Sequence, residues 1–400
     1  MIKTNFKARV LTSGLLVATM LTVVAGAASG PASAAKKLSP YLVGVPMPMT
    51  GAEAQAGTQI FNAELMAAQQ VNKHGGVLGH PIKLLEQDDA CDAGTAVNAA
   101  NKLVSENVQA IVGGYCSGAT LPVEPIIARA GIPYVMPAAN SPELTTGGYK
   151  NVFLIDPSGS GDGAEAAAFF KQQGIKKVFI IDDQSSFGVA IANAAAQDIT
   201  KDGGTVVAGG VQSIPATSND FSAVISQIKS SGATGIYWSG YFSQAAQFAT
   251  QLNAANVIGP NGTAKFVVAD GSVDATYISG AGQAANGTYA TIAALASGVG
   301  NVLNSRADHL FNAAYHKQFK SAPGPYSTFG YDAITALVLA ARHVHSIKPA
   351  RAIAGLRTLH FNGLTGKVSF DKTGNRLGAV MDLLEVVNGQ YTLAKPQPKL

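Results

Sequence analysis

Cysteine is nearly missing from this 400-residue chain; Cys91 and Cys116 are the only two. There is no C-x-x-C pair, which excludes the common arrangement for thiol redox catalysis. Two cysteines and seven scattered histidines do not supply the ligand spacing of a metal site, and no cofactor is expected. The chain also lacks G-x-S-x-G, H-E-x-x-H and P-loop sequences, so the usual signatures of hydrolases, zinc peptidases and nucleotide hydrolysis are absent and no enzyme is expected. No repeat of fixed short period is visible. Charge is scarce as well: Asp, Glu, Lys and Arg make up 13% of the residues, with a formal net charge of +4. Three of those positive charges are Lys3, Lys7 and Arg9, so the remainder is close to neutral. A near-neutral chain has no electrostatic basis for holding nucleic acid or an anionic surface.

Those three basic residues belong to an export signal. They precede an apolar stretch of small residues, Leu11 to Ala28, and the A-x-A site Ala32-Ser33-Ala34. The Leu/Val-rich centre is short for a membrane span. Residues 1–34 are therefore expected to be removed. With no cysteine ahead of Cys91, the exported protein should be periplasmic or secreted without a lipid anchor. In an oxidising compartment an even pair of cysteines favours a Cys91–Cys116 disulfide.

The exported part, about 365 residues, is too long for one core and comfortable for two lobes. Ala and Gly are abundant, with 44 glycines, as in a rigid α/β protein. Strand and helix signals alternate from Tyr41 to about Phe361, which predicts doubly wound parallel sheets. Strands are expected at Tyr41–Val45, Pro81–Leu85, Ala110–Val112, Ile132–Val135, Lys177–Ile181, Thr205–Val211, Gly235–Trp238 and Lys265–Val268. Helical periodicity covers 59–73, 93–106, 119–130, 188–201, 221–230, 244–255, 307–319 and 331–345. Short strands close the chain near Leu364–Phe370 and Leu383–Val387.

Three segments stand where a strand-like run gives way to a helix-like one. They are Gln87-Asp88-Asp89-Ala90-Cys91-Asp92, Gly113-Gly114-Tyr115-Cys116-Ser117-Gly118-Ala119-Thr120 and Pro137-Ala138-Ala139-Asn140-Ser141-Pro142-Glu143-Leu144. Strand ends that meet helix starts form a cradle for a small anion. In this context the chain resembles the extracytoplasmic solute-binding proteins of branched-chain amino-acid ABC transporters, from about residue 38 to the last strand. The resemblance implies a type I periplasmic-binding-protein fold, two lobes joined by a three-strand hinge. Its crossings would fall near Ser158, Thr291 and Leu384, with 36–158 plus 292–383 in lobe 1 and 159–291 plus 384–400 in lobe 2. It implies a monomer that closes on a small solute and is then recognised by an ABC permease.

The resemblance also assigns roles. Ser117, Ala138, Ala139 and Asn140 would hold a carboxylate. Asn140 stands where relatives carry Thr, and its amide can still donate. Asp270, in Val268-Ala269-Asp270-Gly271-Ser272, would take the ammonium in place of the more usual Glu. Phe187, Tyr241 and Tyr326 match ligand-contacting aromatics. Each of these residues has a plainer alternative, as a helix cap or as packing. Two departures stand out. The stretch Ala54-Gln55-Ala56-Gly57 lacks a Tyr present in leucine binders, and Phe187 lacks a hydroxyl. The pocket should therefore be larger and less polar on that side. Leucine, isoleucine, valine, an aromatic amino acid, an amide or another small carboxylate all stay open as ligands. A sensory receptor subunit and a secreted hydrolase stay open as rival roles. The run Gly159-Ser160-Gly161-Asp162-Gly163-Ala164 fits a dinucleotide fingerprint, but export and its position at a lobe crossing argue against that use.

Overall fold

The computed structural model describes residues 38–293 and 306–399. The expected export signal lies outside them. The first sheet is five-stranded and wholly parallel. It contains β1 (Tyr41–Met47), β2 (Ile82–Asp88), β3 (Ala110–Val112), β4 (Tyr134–Met136) and β5 (Val152–Leu154), in the order β2-β1-β3-β4-β5. β3, β4 and β5 are buried throughout, as expected of strands covered on both faces by helices.

The chain then builds a second sheet from β6 (Lys177–Asp182), β7 (Thr205–Val206), β8 (Gln212–Ser213), β9 (Gly235–Ser239), β10 (Lys265–Val268) and β11 (Tyr289–Ala293). After β11 it returns to the first sheet. The helix Ser327–His343 packs there against the helix Ala54–Lys73 and against β3 and β4. A hairpin of β12 (His360–Gly363) and β13 (Gly366–Ser369) follows. Finally β14 (Met381–Val387) and β15 (Gln390–Leu393) join the second sheet as antiparallel strands, giving β15-β14-β11-β10-β9-β6-β7 with β8 also on β6. The parallel α/β expectation thus holds with an antiparallel edge added. The crossings expected near Thr291 and Leu384 fall inside β11 and β14, where Thr291 pairs with Leu383 and Ala290 with Leu384.

Several boundaries differ from expectation for local reasons. The first helix begins at Ala54, five residues before the apolar periodicity, and Gly57 lets it lie against the Pro48 backbone, where a Cβ would clash. The expected helix 119–130 starts at Ser117 and is divided by a 3-10 turn at Leu121–Val123, which carries Pro122. The expected strand 205–211 is split into β7 and β8 because Ala208, Gly209 and Gly210 all have positive φ. A helix at Pro349–Arg357 and strand β5 carried no sequence expectation.

Both sheets share one order. Counting parallel strands within each, the sequence 2-1-3-4-5 appears in β2-β1-β3-β4-β5 and again in β7-β6-β9-β10-β11. Each has a switch point, where successive connections leave in opposite directions: β1/β3 in the first sheet and β6/β9 in the second. Ligands in such sheets bind outside the strand ends at the switch point.

Candidate functional site

On the first sheet, the loop after β3 leads into the helical run that starts at Ser117. Cys116, one residue earlier, is bridged to Cys91 with their Cα atoms 5.4 Å apart. The bridge ties this loop to the turn after β2. Asp88 shapes that turn through Oδ1, which accepts the Met49 and Ala90 N–H groups at 2.9 and 2.8 Å. Asp89 accepts the Cys91 N–H at 2.9 Å. Ser117 is fully buried, and its Oγ accepts the Ser141 N–H at 3.2 Å, which leaves its hydroxyl hydrogen free to donate. Ala138 and Ala139 follow β4. The Ala139 N–H is engaged by the Gly114 carbonyl at 3.1 Å, so it is no longer a donor for a ligand.

Asn140 departs from the role expected of it. Its Nδ2 donates to Asp156 Oδ2 at 3.1 Å and to Asp270 Oδ2 at 2.6 Å. Both amide hydrogens are therefore directed at carboxylates, and the side chain bridges the two halves instead of facing a ligand carboxylate. The reason lies in Asp156, a buried acid that was not singled out from the sequence.

The second sheet supplies the rest. Phe187 opens the helix after β6, Tyr241 follows β9 and Asp270 follows β10. Phe187 and Tyr241 stack with ring centroids 5.3 Å apart. Tyr115, beside Cys116 on the first sheet, packs on Tyr241 at 5.8 Å and on Tyr326 at 5.7 Å. Asp183 holds this corner. Its Oδ2 accepts the Tyr241 N–H at 3.2 Å and its Oδ1 accepts the Ser185 N–H at 2.9 Å. Gly188 and Gly240 leave room for that carboxylate; a Cβ on either would collide with it. Seven of the eight expected residues thus follow the ends of β3, β4, β6, β9 and β10, and Tyr326 joins them through its ring contact with Tyr115. Tyr115, Glu53, Asp156, Asp162, Asp183 and Asp274 join them. Position after a strand was the signal that could have found Tyr115 and Asp156, since each follows β3 or β5 as closely as Ser117 or Asn140 follows its own strand.

Electrostatics separate these acids. Asp156, Asp162 and Asp270 are buried together. Burial pushes Asp156 and Asp162 well above the carboxylate range, and the Asp270 charge adds to it. Asp270 is pushed up only to about 6, because the Asn140 amide, the Gly271 N–H and the Tyr326 hydroxyl favour its ionised form against burial. Of the three, Asp270 is the least displaced toward its neutral form, and its Oδ1 has no hydrogen-bond partner. Glu53 is pushed up to about 8 by burial and by Asp274 and Asp183.

The crevice is shut. Beyond the Asn140–Asp270 bond, Thr276 Oγ1 lies 3.4 Å from Gln55 Oε1 across it. The gap lined by Tyr115, Asp274 and Tyr326 has no room for a water molecule. Size does not locate the site: hollows of about 680 and 530 Å³ lie elsewhere, one beside Asn253 and Gln283, the other between the helices Ala54–Lys73 and Arg306–Phe319. Beside Ala54–Gly57, where leucine binders carry Tyr, Glu53 is buried and the Asp274 and Asp183 charges act on it. The glycines of the dinucleotide-like run serve packing: a Cβ on Gly163 would meet the Ala195 backbone, and one on Gly159 would meet Ile191. Among the described residues no group of His, Cys, Asp or Glu is placed to hold a metal ion.

Residues 40–390 match the periplasmic binding protein family. The chain belongs to that family. Members of the periplasmic binding protein family are extracytoplasmic solute-binding proteins, not enzymes. The chain is 29% identical to an amino acid binding protein of Pseudomonas aeruginosa, over 84% of this chain and 88% of the relative. It is 27% identical to the leucine-specific-binding protein of Salmonella typhimurium, over 94% of this chain and 98% of the relative. A leucine binding protein from Thermotoga maritima superposes with a TM-score of 0.79 at 25% identity, covering 88% of this chain and 97% of that one. A solute binding protein from R. palustris in complex with benzoate superposes at 0.78 and 20% identity, covering 88% and 95%, a likeness of fold alone.

Proposed function

We propose that this periplasmic binding protein captures a small α-amino acid between its two sheets and delivers it to an ABC permease. In this reading the two sheets belong to two lobes, 36–158 plus 292–383 and 159–291 plus 384–400, hinged near Ser158, Thr291 and Leu384. The exported protein, freed of residues 1–34, acts as a monomer. The Ser117 hydroxyl and the backbone at Ala138 take the ligand carboxylate, and Asp270 takes the ammonium. Phe187, Tyr241 and Tyr326 enclose the remainder. Ligand contacts to both lobes stabilise the closed form by differential affinity. Asn140 acts indirectly, by orienting Asp270.

One observation carries this reading. The turns after β3 and β4 of the first sheet, with Ser117 and Asn140, meet those after β9 and β10 of the second, with Tyr241 and Asp270, through the Asn140–Asp270 bond at 2.6 Å and the Tyr115–Tyr241 ring contact. A donor at Ser117 and an acceptor at Asp270 suit the two charges of a zwitterion. The names of the relatives, amino acid binding and leucine-specific-binding, agree with it.

The test is the melting temperature of the exported protein, unfolded and refolded to strip any carried ligand, against amino acids, amides and small carboxylates. A ligand that binds only the folded state adds about 2.7 kcal/mol at a hundredfold excess over its Kd. A rise with one or more α-amino acids supports the reading. Silence for all of them, with a rise for an amide or an aromatic acid, would remove Asp270 as an ammonium partner.

A further inference from the structure

Glu53, Asp183 and Asp274 make a second acidic pole, distinct from the one at Asp270. Glu53 comes from the loop after β1, Asp183 follows β6 and Asp274 follows β10, so the pole is assembled from both sheets. All three side chains are buried, at 5%, 2% and 3% exposure. Asp183 and Asp274 are held by backbone donors: Ser185 and Tyr241 for the first, Thr276 for the second. Glu53 has no backbone donor and accepts from the Tyr115 hydroxyl. Its Oε2 is buried with no hydrogen-bond partner. Among the described residues none of the three is in an ion pair, whereas the Arg376 charge acts on Asp156 in the first cluster. The rings of Tyr115 and Tyr241 pack together beside them. A buried acid trio without a cation is costly, and closing the crevice makes it costlier by bringing Glu53 toward the other two.

We propose that the ligand is a basic α-amino acid whose side-chain cation is received by Glu53, Asp183 and Asp274 beside Tyr115 and Tyr241. This rests on the amino-acid reading above and adds a third point of contact to it. A cation there relieves the repulsion between the two halves and completes the Glu53 carboxylate. The tyrosine faces add a cation–π contribution. A neutral side chain leaves the trio uncompensated, so the specificity follows from charge more than from shape.

Lysine and norleucine share a carbon chain and differ only in the ε-ammonium. Calorimetric titration of the refolded, ligand-free exported protein with lysine, norleucine, leucine and cadaverine separates the cases. Lysine should bind at least about tenfold more tightly than norleucine, the size of one charge-assisted hydrogen bond. Glu53→Gln should erase that advantage, weakening lysine and leaving norleucine equal or tighter, because one acid that a neutral side chain leaves uncompensated is gone. Should Glu53→Gln fail to fold, Asp274→Asn keeps the Thr276 cap and should reduce the same preference. Norleucine or leucine binding as tightly as lysine would overturn the proposal and leave the amino-acid reading standing. Cadaverine binding without any amino acid would support the cation pole and overturn the carboxylate assignment. No binding by any of the four would overturn the proposal, and the melting-temperature panel above would then decide the amino-acid reading by itself.

Discussion

The two sheets present different chemistry to the crevice between them. The first presents mostly neutral groups: the Ser117 hydroxyl, the backbone at Ala138, and the Asn140 amide, whose hydrogens are taken by Asp156 and Asp270. Its two acids there, Glu53 and Asp156, are pushed toward their neutral forms by burial. The second offers carboxylates and rings: Asp183, Asp270, Phe187 and Tyr241. The difference teaches how such a site reports closure. In the proposed reading an anion would find its donor at Ser117 on one side and a cation its acceptor at Asp270 on the other, so a ligand with both charges, bound across the gap, would satisfy the two together. The first face is also the more tightly constrained of the two. A disulfide and the Asp88 turn fix the loop that leads into Ser117.

The largest effect should come from releasing that constraint. Cross-linking residues separated by 25 positions stabilises by roughly 3–4 kcal/mol in the chain-entropy picture. Replacing both Cys91 and Cys116 by Ala should lower the unfolding free energy by about that amount in a denaturant titration, with an m-value that rises because the uncrosslinked denatured chain is more expanded. If both thiols of the exported protein react freely without reductant, the constraint does not exist and the comparison loses its rigid side.

The next largest concerns the charged side. Asp270→Ala should weaken an α-amino acid by well over tenfold, about 2 kcal/mol or more, because it leaves a desolvated ammonium without an acceptor. An unchanged Kd by calorimetry would remove Asp270 from the site. The pH dependence has a definite sign. A folded pKa of about 6, raised from 3.8 by burial, means that amino-acid affinity falls as pH drops below about 6 and Asp270 protonates. For the unliganded protein the same shift acts oppositely: its stabilising contribution is complete below about pH 4 and is lost as pH rises through 6.

Much of this arrangement was legible beforehand. The alternation of strand and helix signals gave two parallel sheets, and the residues after β3, β4, β9 and β10 included Ser117, Asn140, Tyr241 and Asp270. Three things were not legible. Glycines used for close helix contact looked like a phosphate loop, because Gly163 against Ala195 leaves the same local spacing as a dinucleotide turn. The bridge from Asn140 to Asp156 and Asp270 joins residues 16 and 130 positions apart, beyond the reach of any local pattern. Glu53 sits in a loop where exposure is the ordinary expectation, yet it is buried, and the residues that act on it, Tyr115, Asp183 and Asp274, are far from it in sequence.

Asn140 offers a smaller effect on the same comparison. Asn140→Leu keeps the volume and removes two donors. Burial then acts on Asp270 with less opposition, so its pKa should rise. Amino-acid affinity should fall about tenfold near neutral pH, an effect of one hydrogen bond to a charged group. The pH at which binding is half lost should move upward with it. A tenfold loss with an unmoved pH midpoint would mean that Asn140 touches the ligand directly and does not act through Asp270.

The smallest effect should come from Tyr241, and its direction is informative. In the shut crevice the Tyr241 hydroxyl faces the Ser117 backbone N–H, which favours its ionised form although burial outweighs it. The hydroxyl of one sheet thus occupies a donor that the opposite sheet would offer to a ligand carboxylate. Tyr241→Phe removes that competitor and retains the ring that stacks on Phe187. The unliganded protein should lose about 0.5–1 kcal/mol, the net contribution of one hydrogen bond. Amino-acid affinity should stay unchanged or tighten by up to about threefold, since less is displaced on binding. A loss of affinity instead would place the hydroxyl on the ligand itself, and the donor at Ser117 would then be shared between the two faces, not held by the first alone.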